Sequence, residues 1–262
     1  MKKFCLFAAS AALLALMAAC TGEPKLQTEK WEDEAFAPLM DSLDVGYSFG
    51  ASVEYVTGGV SAAVADKMNT AIVKDLFNAD GKDVAAAGEV YKNGLLGGYQ
   101  AEVEEFFGEH TPEEIKETSW MYNWSNSIGG EFAKGCAKRH LLSYMVSMSD
   151  YTGGAHGMYG VNYLVFDTTT GEVVKEADLF AEGYEQKLAE LLWQHRFDGM
   201  EDLDEWEDPD ELFYAEIGPN GNFEVTEEGL EYVYNPYEIA PYAAGLITIP
   251  VSWKELEPIL RK

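Results

Sequence analysis

The sequence predicts an α+β protein in which mixed or antiparallel sheets pack against helices and form two small subdomains. Apolar residues alternate over 45–55, as in a half-buried strand, and recur every four residues over 61–77, as in an amphipathic helix. Two further alternating runs, 142–148 and 159–165, flank a glycine-rich loop, which is typical of a hairpin. Strands paired in hairpins beside clustered helices do not fit a run of βαβ units.

The stretch between the first strand and the hairpin predicts more helix. A second helical pattern covers 83–107, and we expect Gly94, Gly97 and Gly98 to divide it because glycine weakens a helix interior. Period two returns over 120–124, which indicates another strand.

The C-terminal half predicts a turn over 168–171 and a helix that begins near Gly183 and ends near His195. Three short strands are expected at 223–225, 231–234 and 246–249, followed by a terminal helix from about Ser252. A division near residue 150 would give two domains of ordinary size, at 43–148 and 149–262.

The N-terminus has the layout of an export signal. Lys2 and Lys3 precede an apolar run over 4–19, and small residues stand directly before Cys20. Residues 17–20 resemble a bacterial lipobox, so we predict a signal peptide at 1–19, lipid attachment at Cys20 and a tether over 20–42. The alternative is an ordinary signal peptide with an incidental cysteine. Thr21 favours the outer membrane if the source is Gram-negative.

Charge and cysteine content exclude several classes of protein. The formal net charge of −28 argues against nucleic-acid binding, which needs clustered cations. With Cys5 in the signal and Cys20 lipidated, only Cys136 remains, so neither an intrachain disulfide nor a cysteine-based zinc site is expected. Cys136 is interpreted as a small core residue.

The most informative loop runs from Tyr151 to Gly157 and surrounds His156 with glycines, among them Gly153 and Gly154. Such glycines permit positive φ angles or close backbone approach. His156 is either a general base or ligand donor, or a structural residue whose ring bonds to nearby main chain. We favour the structural interpretation, because no acid, serine or second histidine stands at a spacing from His156 that implies a catalytic or ligand site.

Two other segments are candidates for binding. Residues 201–211 contain eight acidic residues around Trp206, which indicates a solvated loop or a docking surface for a cationic protein. Residues 235–245 contain two prolines together with Tyr237 and Tyr242. This stiff segment is either an aromatic lip that stacks on a sugar or partner, or a buried crossing whose tyrosine hydroxyls bond to the His156 loop.

These motifs together resemble the C-terminal domain of unknown function shared by RsiV-type anti-sigma factors and PdaC-type peptidoglycan deacetylases. The resemblance covers about 150–250 and is carried by the His156 loop, Phe166-Asp167, Thr170-Gly171, Asp178-Leu179-Phe180, Asn235 to Gly245 and Ile249-Pro250. Residues 43–148 resemble, less closely, the companion domain that usually precedes it. The RsiV-type resemblance implies binding of a basic muramidase such as lysozyme.

The deacetylase chemistry is not expected here. PdaC-type enzymes carry a His-x-x-x-His metal motif in a separate domain, and no two of the four histidines, His110, His140, His156 and His195, are four residues apart. We therefore predict no cofactor and no metal. The expected function is a lipid-anchored, non-catalytic module that recognises a cationic protein or a cell-wall glycan. The alternative is a peptidoglycan-active hydrolase or deacetylase-like enzyme that uses His156.

Overall fold

The computed structural model describes residues 26–40, 43–200, 213 and 215–262, and it confirms the predicted α+β class with mixed and antiparallel sheets. The strands are β1 (Gln27–Pro38), β2 (Gly46–Gly58), β3 (Trp124–Cys136), β4 (Leu141–Tyr151), β5 (Met158–Asp167), β6 (Phe223–Val225), β7 (Gly229–Tyr234) and β8 (Ile247–Ser252). The helices are α1 (Ala62–Phe77), α2 (Val84–Glu109), α3 (Pro112–Thr118), α4 (Glu176–Leu179), α5 (Glu185–Gln194) and α6 (Trp253–Leu256).

Five strands form one sheet in the order β1-β2-β3-β4-β5, and β6-β7-β8 form a second, antiparallel sheet. Only the β2–β3 pair of the larger sheet is parallel, because the helices α1 to α3 connect these two strands as a crossover. Helices α1 and α2 cover one face of this sheet and enclose the first hydrophobic core. Ser61 caps α1, and its side chain accepts a hydrogen bond from the backbone nitrogen of Val64.

The predicted tether over 20–42 is wrong where the structure describes it. Gln27–Pro38 is the edge strand β1 and pairs along its length with β2. Trp31 holds it in place, since its ring is buried and lies so close to Gly88 of α2 that a Cβ there would clash at 2.4 Å. The signal peptide and Cys20 lie outside the described residues.

The predicted break in the second helix is also wrong. Helix α2 continues through Gly94, Gly97 and Gly98, which lie on its exposed side, where a Cβ would meet no atom within 4 Å. Its opposite side stays apolar and packs on the sheet through Tyr99 and Val103. Burial of that continuous stripe outweighs a propensity cost of about 1 kcal/mol per glycine.

The expected strand over 120–124 begins only at Trp124, because Ser119–Tyr122 forms a 3-10 turn. The expected domain boundary between 148 and 149 falls inside β4, which pairs with a strand on each side. The chain therefore does not divide there. Two hydrophobic cores are nevertheless present: the second lies between β6–β8, α5, α6 and the ends of β3 to β5.

The remaining elements agree with the sequence prediction. Helix α5 and strands β6, β7 and β8 fall on the expected segments, and Ser252 caps the short terminal helix α6. Cys136 is buried in the second core, as expected of a core residue. Within the described ranges, no helix is long and apolar enough to cross a membrane.

Two asparagines fasten the larger sheet to the second half of the chain, and we call them the asparagine joint. Asn235 hydrogen-bonds to the edge strand β5 as a neighbouring strand would. Its Oδ1 accepts from the backbone nitrogen of Val161 at 2.7 Å, and its Nδ2 donates to the backbone oxygen of Val161 at 3.1 Å. Asn222 accepts from the nitrogen of Tyr163 and donates to the carbonyls of Val161 and Val233, at 2.9 to 3.0 Å. The joint thus covers an edge that would otherwise expose unpaired backbone groups.

Candidate functional site

The His156 loop and the segment 235–245 meet at the hairpin end of β5 and form a partly exposed group of rings. We call it the aromatic surface, and it consists of His156, Tyr159, Tyr237 and Tyr242. The ring of Tyr242 lies at its centre. It stacks on His156 with the centroids 4.3 Å apart, meets Tyr159 edge-on at 5.7 Å and lies 5.6 Å from Tyr237.

Glycines shape the loop for defined reasons. Gly153 has φ +89°, and a Cβ there would lie 2.9 Å from the carbonyl oxygen of Met121. A Cβ at Gly157 would lie 2.7 Å from the carbonyl oxygen of Asp150. Gly154 has φ +102° in open space, and the hydroxyl of Tyr151 donates to its carbonyl at 3.0 Å. The glycines are therefore required by the backbone path.

The proline-tyrosine segment is held in an uncommon conformation. Tyr237 has φ +71°, a left-handed value that bulky side chains rarely adopt. A tight turn imposes it, in which the nitrogen of Tyr237 donates to the carbonyl of Ala240 at 3.1 Å. The carboxylate of Glu238 accepts from the nitrogen of Asn235 and closes the turn. Such a conformation persists only where its surroundings fix it, and it presents the Tyr237 ring outward.

His156 and Tyr242 share one acceptor, the carbonyl oxygen of Gly157. His156 Nδ1 lies 2.9 Å from it and the Tyr242 hydroxyl donates to it at 3.0 Å. Because a carbonyl only accepts, Nδ1 carries the hydrogen, and Nε2 of the neutral ring is an acceptor. This contact is the one that the structural interpretation of the segment predicted.

The aromatic surface is nevertheless open to solvent. Half of the Tyr237 side chain is exposed, at 50%, and Tyr159 is 37% exposed. His156 is exposed as well, and Tyr242 between these rings is half-buried. The segment is thus not the buried crossing that the structural interpretation expected, although its hydroxyl contact is present.

The chemistry available here is stacking and hydrogen bonding. In the described part of the chain, no carboxylate hydrogen-bonds to His156, and no three His, Cys, Asp or Glu side chains come close enough to hold a metal ion. A general base needs a group that orients it and a substrate proton in reach. Partly exposed aromatic rings instead suit recognition of a sugar face or a partner side chain.

A different histidine has the carboxylate partners that His156 lacks. His195, at the end of α5, lies between Asp198 (Nδ1 to Oδ2, 2.6 Å) and Glu255 of α6 (Nε2 to Oε1, 2.9 Å). The hydrogen bond to Asp198, together with Glu255, raises the pKa of His195. Hydrogen bonds from Ser252 and then from His195 lower the pKa of Glu255. The cluster ties α5 to α6 and is a structural ion pair.

The structure brings three of the predicted site residues, His156, Tyr237 and Tyr242, together at the aromatic surface. Tyr151, Gly153 and Gly154 lie in the same loop as His156, where the Tyr151 hydroxyl donates to the carbonyl of Gly154. Trp206 and its acidic neighbours lie outside the described residues. Sequence reasoning placed Tyr159 in a strand without assigning it to the site. Its position, two residues after the loop, was the available signal.

Comparison with known proteins finds a matching family model and solved structures with the same fold. Residues 177–254 match a family model described as a protein of unknown function, DUF3298. A crystal structure of a DUF3298 family member from Bacteroides fragilis NCTC 9343 is 23% identical, with a TM-score of 0.78, and covers 90% of this chain and 94% of its own. A DUF3298 family protein from Pseudomonas aeruginosa PAO1 is 16% identical, with a TM-score of 0.63 and the same coverage. No curated protein matches the sequence.

The chain has the fold of solved DUF3298 proteins. A domain of unknown function is thereby shown over 177–254, which overlaps most of the segment 150–250 where the sequence motifs placed one, whereas the likeness to RsiV-type and PdaC-type proteins stays a prediction. At these identities the solved structures establish the fold alone. The match begins after β5 and includes the segment 235–245, so the aromatic surface joins a strand hairpin outside the matched range to a segment inside it.

Proposed function

We propose that this protein is a non-catalytic recognition module of the cell envelope and that its aromatic surface binds cell-wall glycan. One observation carries the proposal: four rings from two separate segments pack together, and three of them, His156, Tyr159 and Tyr237, remain exposed around the half-buried Tyr242. Preorganised rings lose little conformational entropy on binding, and saccharide faces stack on them while hydroxyls bond at their edges. The resemblance to PdaC-type proteins supports the same ligand class.

The test is sedimentation of the purified full-length chain, in detergent, with insoluble peptidoglycan. We expect saturable binding that Tyr237→Ala weakens about tenfold, equivalent to about 1.4 kcal/mol. Phe36→Ala is the matched control, because Phe36 of β1 is 52% exposed and Tyr237 is 50% exposed. Equal loss in both variants, or no binding by the unmodified chain, would refute the glycan proposal.

A cationic protein such as lysozyme is the second candidate partner. The net charge of −28 favours it, since long-range attraction raises the association rate of oppositely charged proteins. The RsiV-type resemblance points to the same partner. A titration with lysozyme at low and at moderate salt tests it, with weaker binding expected at moderate salt because the Debye length is about 8 Å at physiological ionic strength. Absence of binding at both salt concentrations removes this candidate.

The enzyme alternative makes a separate prediction. If His156 were a general base, His156→Ala would abolish turnover of muropeptides and leave the melting temperature nearly unchanged. We expect no turnover by the unmodified chain, because the described surroundings of His156 offer stacking and a backbone acceptor only. Release of new reducing ends or free amines from the muropeptides would show that the protein is an enzyme.

Lipid anchoring at Cys20 belongs to the same proposal. Two or more acyl chains would hold the acidic body at the membrane without electrostatic attraction. Mass spectrometry of the mature N-terminus is expected to show a diacylated or triacylated Cys20, and Cys20→Ala should release the protein from membranes. An unmodified N-terminus at another residue would contradict the anchor and the outer-membrane assignment with it.

A further inference from the structure

One side of helix α5 borders an open groove on the surface of the second half of the chain. The leucines of this helix, Leu188, Leu191 and Leu192, belong to the second core. Its outer side contributes residues at helical spacings of three and four, and the segment before β6 contributes two more. The lining residues are Gln186, Ala189, Glu190, Trp193, Glu216 and Ile217, and the volume of the groove is about 400 Å³.

The apolar part of this groove combines a buried side chain with an exposed ring. Ile217 is only 5% exposed and belongs to the second core, whereas the large ring of Trp193 is 49% exposed. Ala189 is half-buried. Exposed tryptophan side chains are enriched among the residues that contribute most to binding, because they bury a large apolar area when a partner covers them.

The indole of Trp193 already holds one guanidinium group of the chain. The Cζ atom of Arg196 lies 4.3 Å from the centroid of the ring, and Nη1 of Arg196 donates to the Trp193 carbonyl at 2.9 Å. Arg196 itself does not line the groove, so another part of the indole borders it. Tryptophan is the aromatic side chain that attracts cations most strongly. The ring therefore suits a second cationic group that enters the groove.

The charges around the groove favour a cation as well. Of the described residues that line it, the charged ones are Glu190 and Glu216. Lys187 of the same helix pairs with Glu190 at 3.1 Å. Glu216 is exposed and forms no ion pair with any other described residue. One carboxylate without a counter-charge, in a chain of net charge −28, is complementary to one positive charge.

We propose that this groove binds an arginine side chain of a polypeptide partner. The guanidinium stacks on the indole of Trp193 and pairs with the carboxylate of Glu216, while the aliphatic stem packs on Ile217. Arginine suits the groove better than lysine, because its planar group can stack on a ring and donate to a carboxylate at the same time. A sugar would also stack on the indole, but it would leave Glu216 without a counter-charge.

This inference goes beyond the proposed function, which assigns no site to a cationic partner. The groove and the aromatic surface share no residue, since one lies at α5 and the other joins the hairpin end of β5 to the segment 235–245. The two sites can therefore fail separately. A test with a soluble peptide does not depend on peptidoglycan binding.

The experiment is an NMR titration of the full-length chain in detergent, with ¹⁵N-labelled indoles and at constant ionic strength. Each of the six tryptophans gives one indole N–H signal, and Trp193→Phe identifies that of Trp193. The probe is the peptide Gly-Arg-Gly. A peptide with citrulline in place of arginine keeps the shape and removes the charge. We expect the arginine peptide to shift the Trp193 signal in a saturable manner, and the citrulline peptide to leave it unchanged.

Two controls separate the groove from general attraction to an acidic protein. Trp120 is 61% exposed and lies outside the groove, so its signal should not move. Glu216→Gln should weaken binding of the arginine peptide about fivefold, as expected of an exposed ion pair, whereas Asp80→Asn, at a fully exposed carboxylate, should leave it unchanged.

Three results would overturn the proposal. The first is an unmoved Trp193 signal with the arginine peptide, or an equal shift with the citrulline peptide. The second is an equal loss of binding in Glu216→Gln and Asp80→Asn, which would indicate that only the net charge attracts the peptide. The third is a shift of the Trp193 signal by the soluble oligosaccharide chitotetraose and not by the arginine peptide, which would make the groove a second glycan site.

Discussion

Two regions that meet at β5 use polar groups in opposite ways. In the asparagine joint, Asn222 and Asn235 use their amide groups against backbone atoms, and Asn222 is only 8% exposed. At the aromatic surface, Tyr237 is half exposed and the rings of His156 and Tyr242 share a single acceptor. The joint is saturated with hydrogen bonds, whereas the surface keeps partly exposed rings that another molecule can contact.

This difference separates residues that maintain the fold from residues that serve a ligand. Asn235 belongs to both regions, because its side chain is part of the joint and its main chain begins the segment that carries Tyr237 and Tyr242. The stable joint thus positions the exposed rings. A change in the joint is expected to lower stability strongly, and a change in the surface is expected to lower binding with little effect on stability.

The largest expected effect is that of Asn222→Ala. It leaves the nitrogen of Tyr163 without its acceptor in a largely buried place and removes one of the two side-chain donors of the Val161 carbonyl, so we expect the free energy of unfolding to fall by about 3 kcal/mol. Chemical denaturation measures it. Asn162→Ala, at an exposed asparagine on the same strand, is the control and should cost less than about 0.5 kcal/mol. Equal losses would remove the distinction between joint and surface.

Asn235→Ala is expected to cost about 2 kcal/mol, because both of its side-chain bonds go to Val161. Unlike Asn222→Ala, it should also weaken binding at the aromatic surface, since the segment loses its attachment to β5. Asn235→Asp keeps the acceptor for the Val161 nitrogen and should recover part of the stability. Full binding by a destabilised Asn235→Ala would show that the joint does not position the rings.

The sequence was sufficient to predict most elements of this fold, because burial imposes a period. Helix α1 buries Met68, Ile72 and Leu76 at intervals of four, and β4 buries Tyr144 and Val146 in alternation. Strand β1 escaped prediction for the same reason. Trp31 is its only buried residue, and acidic side chains fill much of the rest, so its sequence resembles a tether.

The parts of the candidate site that depend on local sequence, such as its rigid loops, were predictable. The parts that depend on contacts between distant segments were not. Glycines around His156 and prolines around Tyr237 mark rigid loops, and their mutual contact was anticipated. The asparagine joint left no comparable signal. Asn222 and Val161 are separated by 61 positions in the chain, and an asparagine that pairs with a strand edge looks like any loop asparagine until the two segments meet.

A smaller effect is expected from His156→Ala. His156 is the exposed member of its stacked pair with Tyr242, so its loss should cost about 1 kcal/mol or less of unfolding free energy, well below the loss in Asn222→Ala. Peptidoglycan binding should fall clearly at the same time. Thermal unfolding and sedimentation of the same preparation measure both quantities. A stability loss above about 2 kcal/mol would instead make His156 part of the structural framework.

The smallest expected effect is that of His195→Gln, at the second core, and it appears as a change in how the free energy of unfolding depends on pH. The raised pKa of His195 means that its ion pair is fully formed below the unfolded value near 6.5 and is lost as pH rises through the raised value. The lowered pKa of Glu255 means that its contribution is lost as pH falls through that lowered value. The advantage of the unmodified chain over His195→Gln should therefore peak between these two limits, at about 1 kcal/mol or less because the pair is partly solvated. Denaturation of both proteins across this pH range measures the difference. A difference that does not change with pH would show that His195 contributes packing alone, and the pH dependence of the unmodified chain would then have to arise elsewhere.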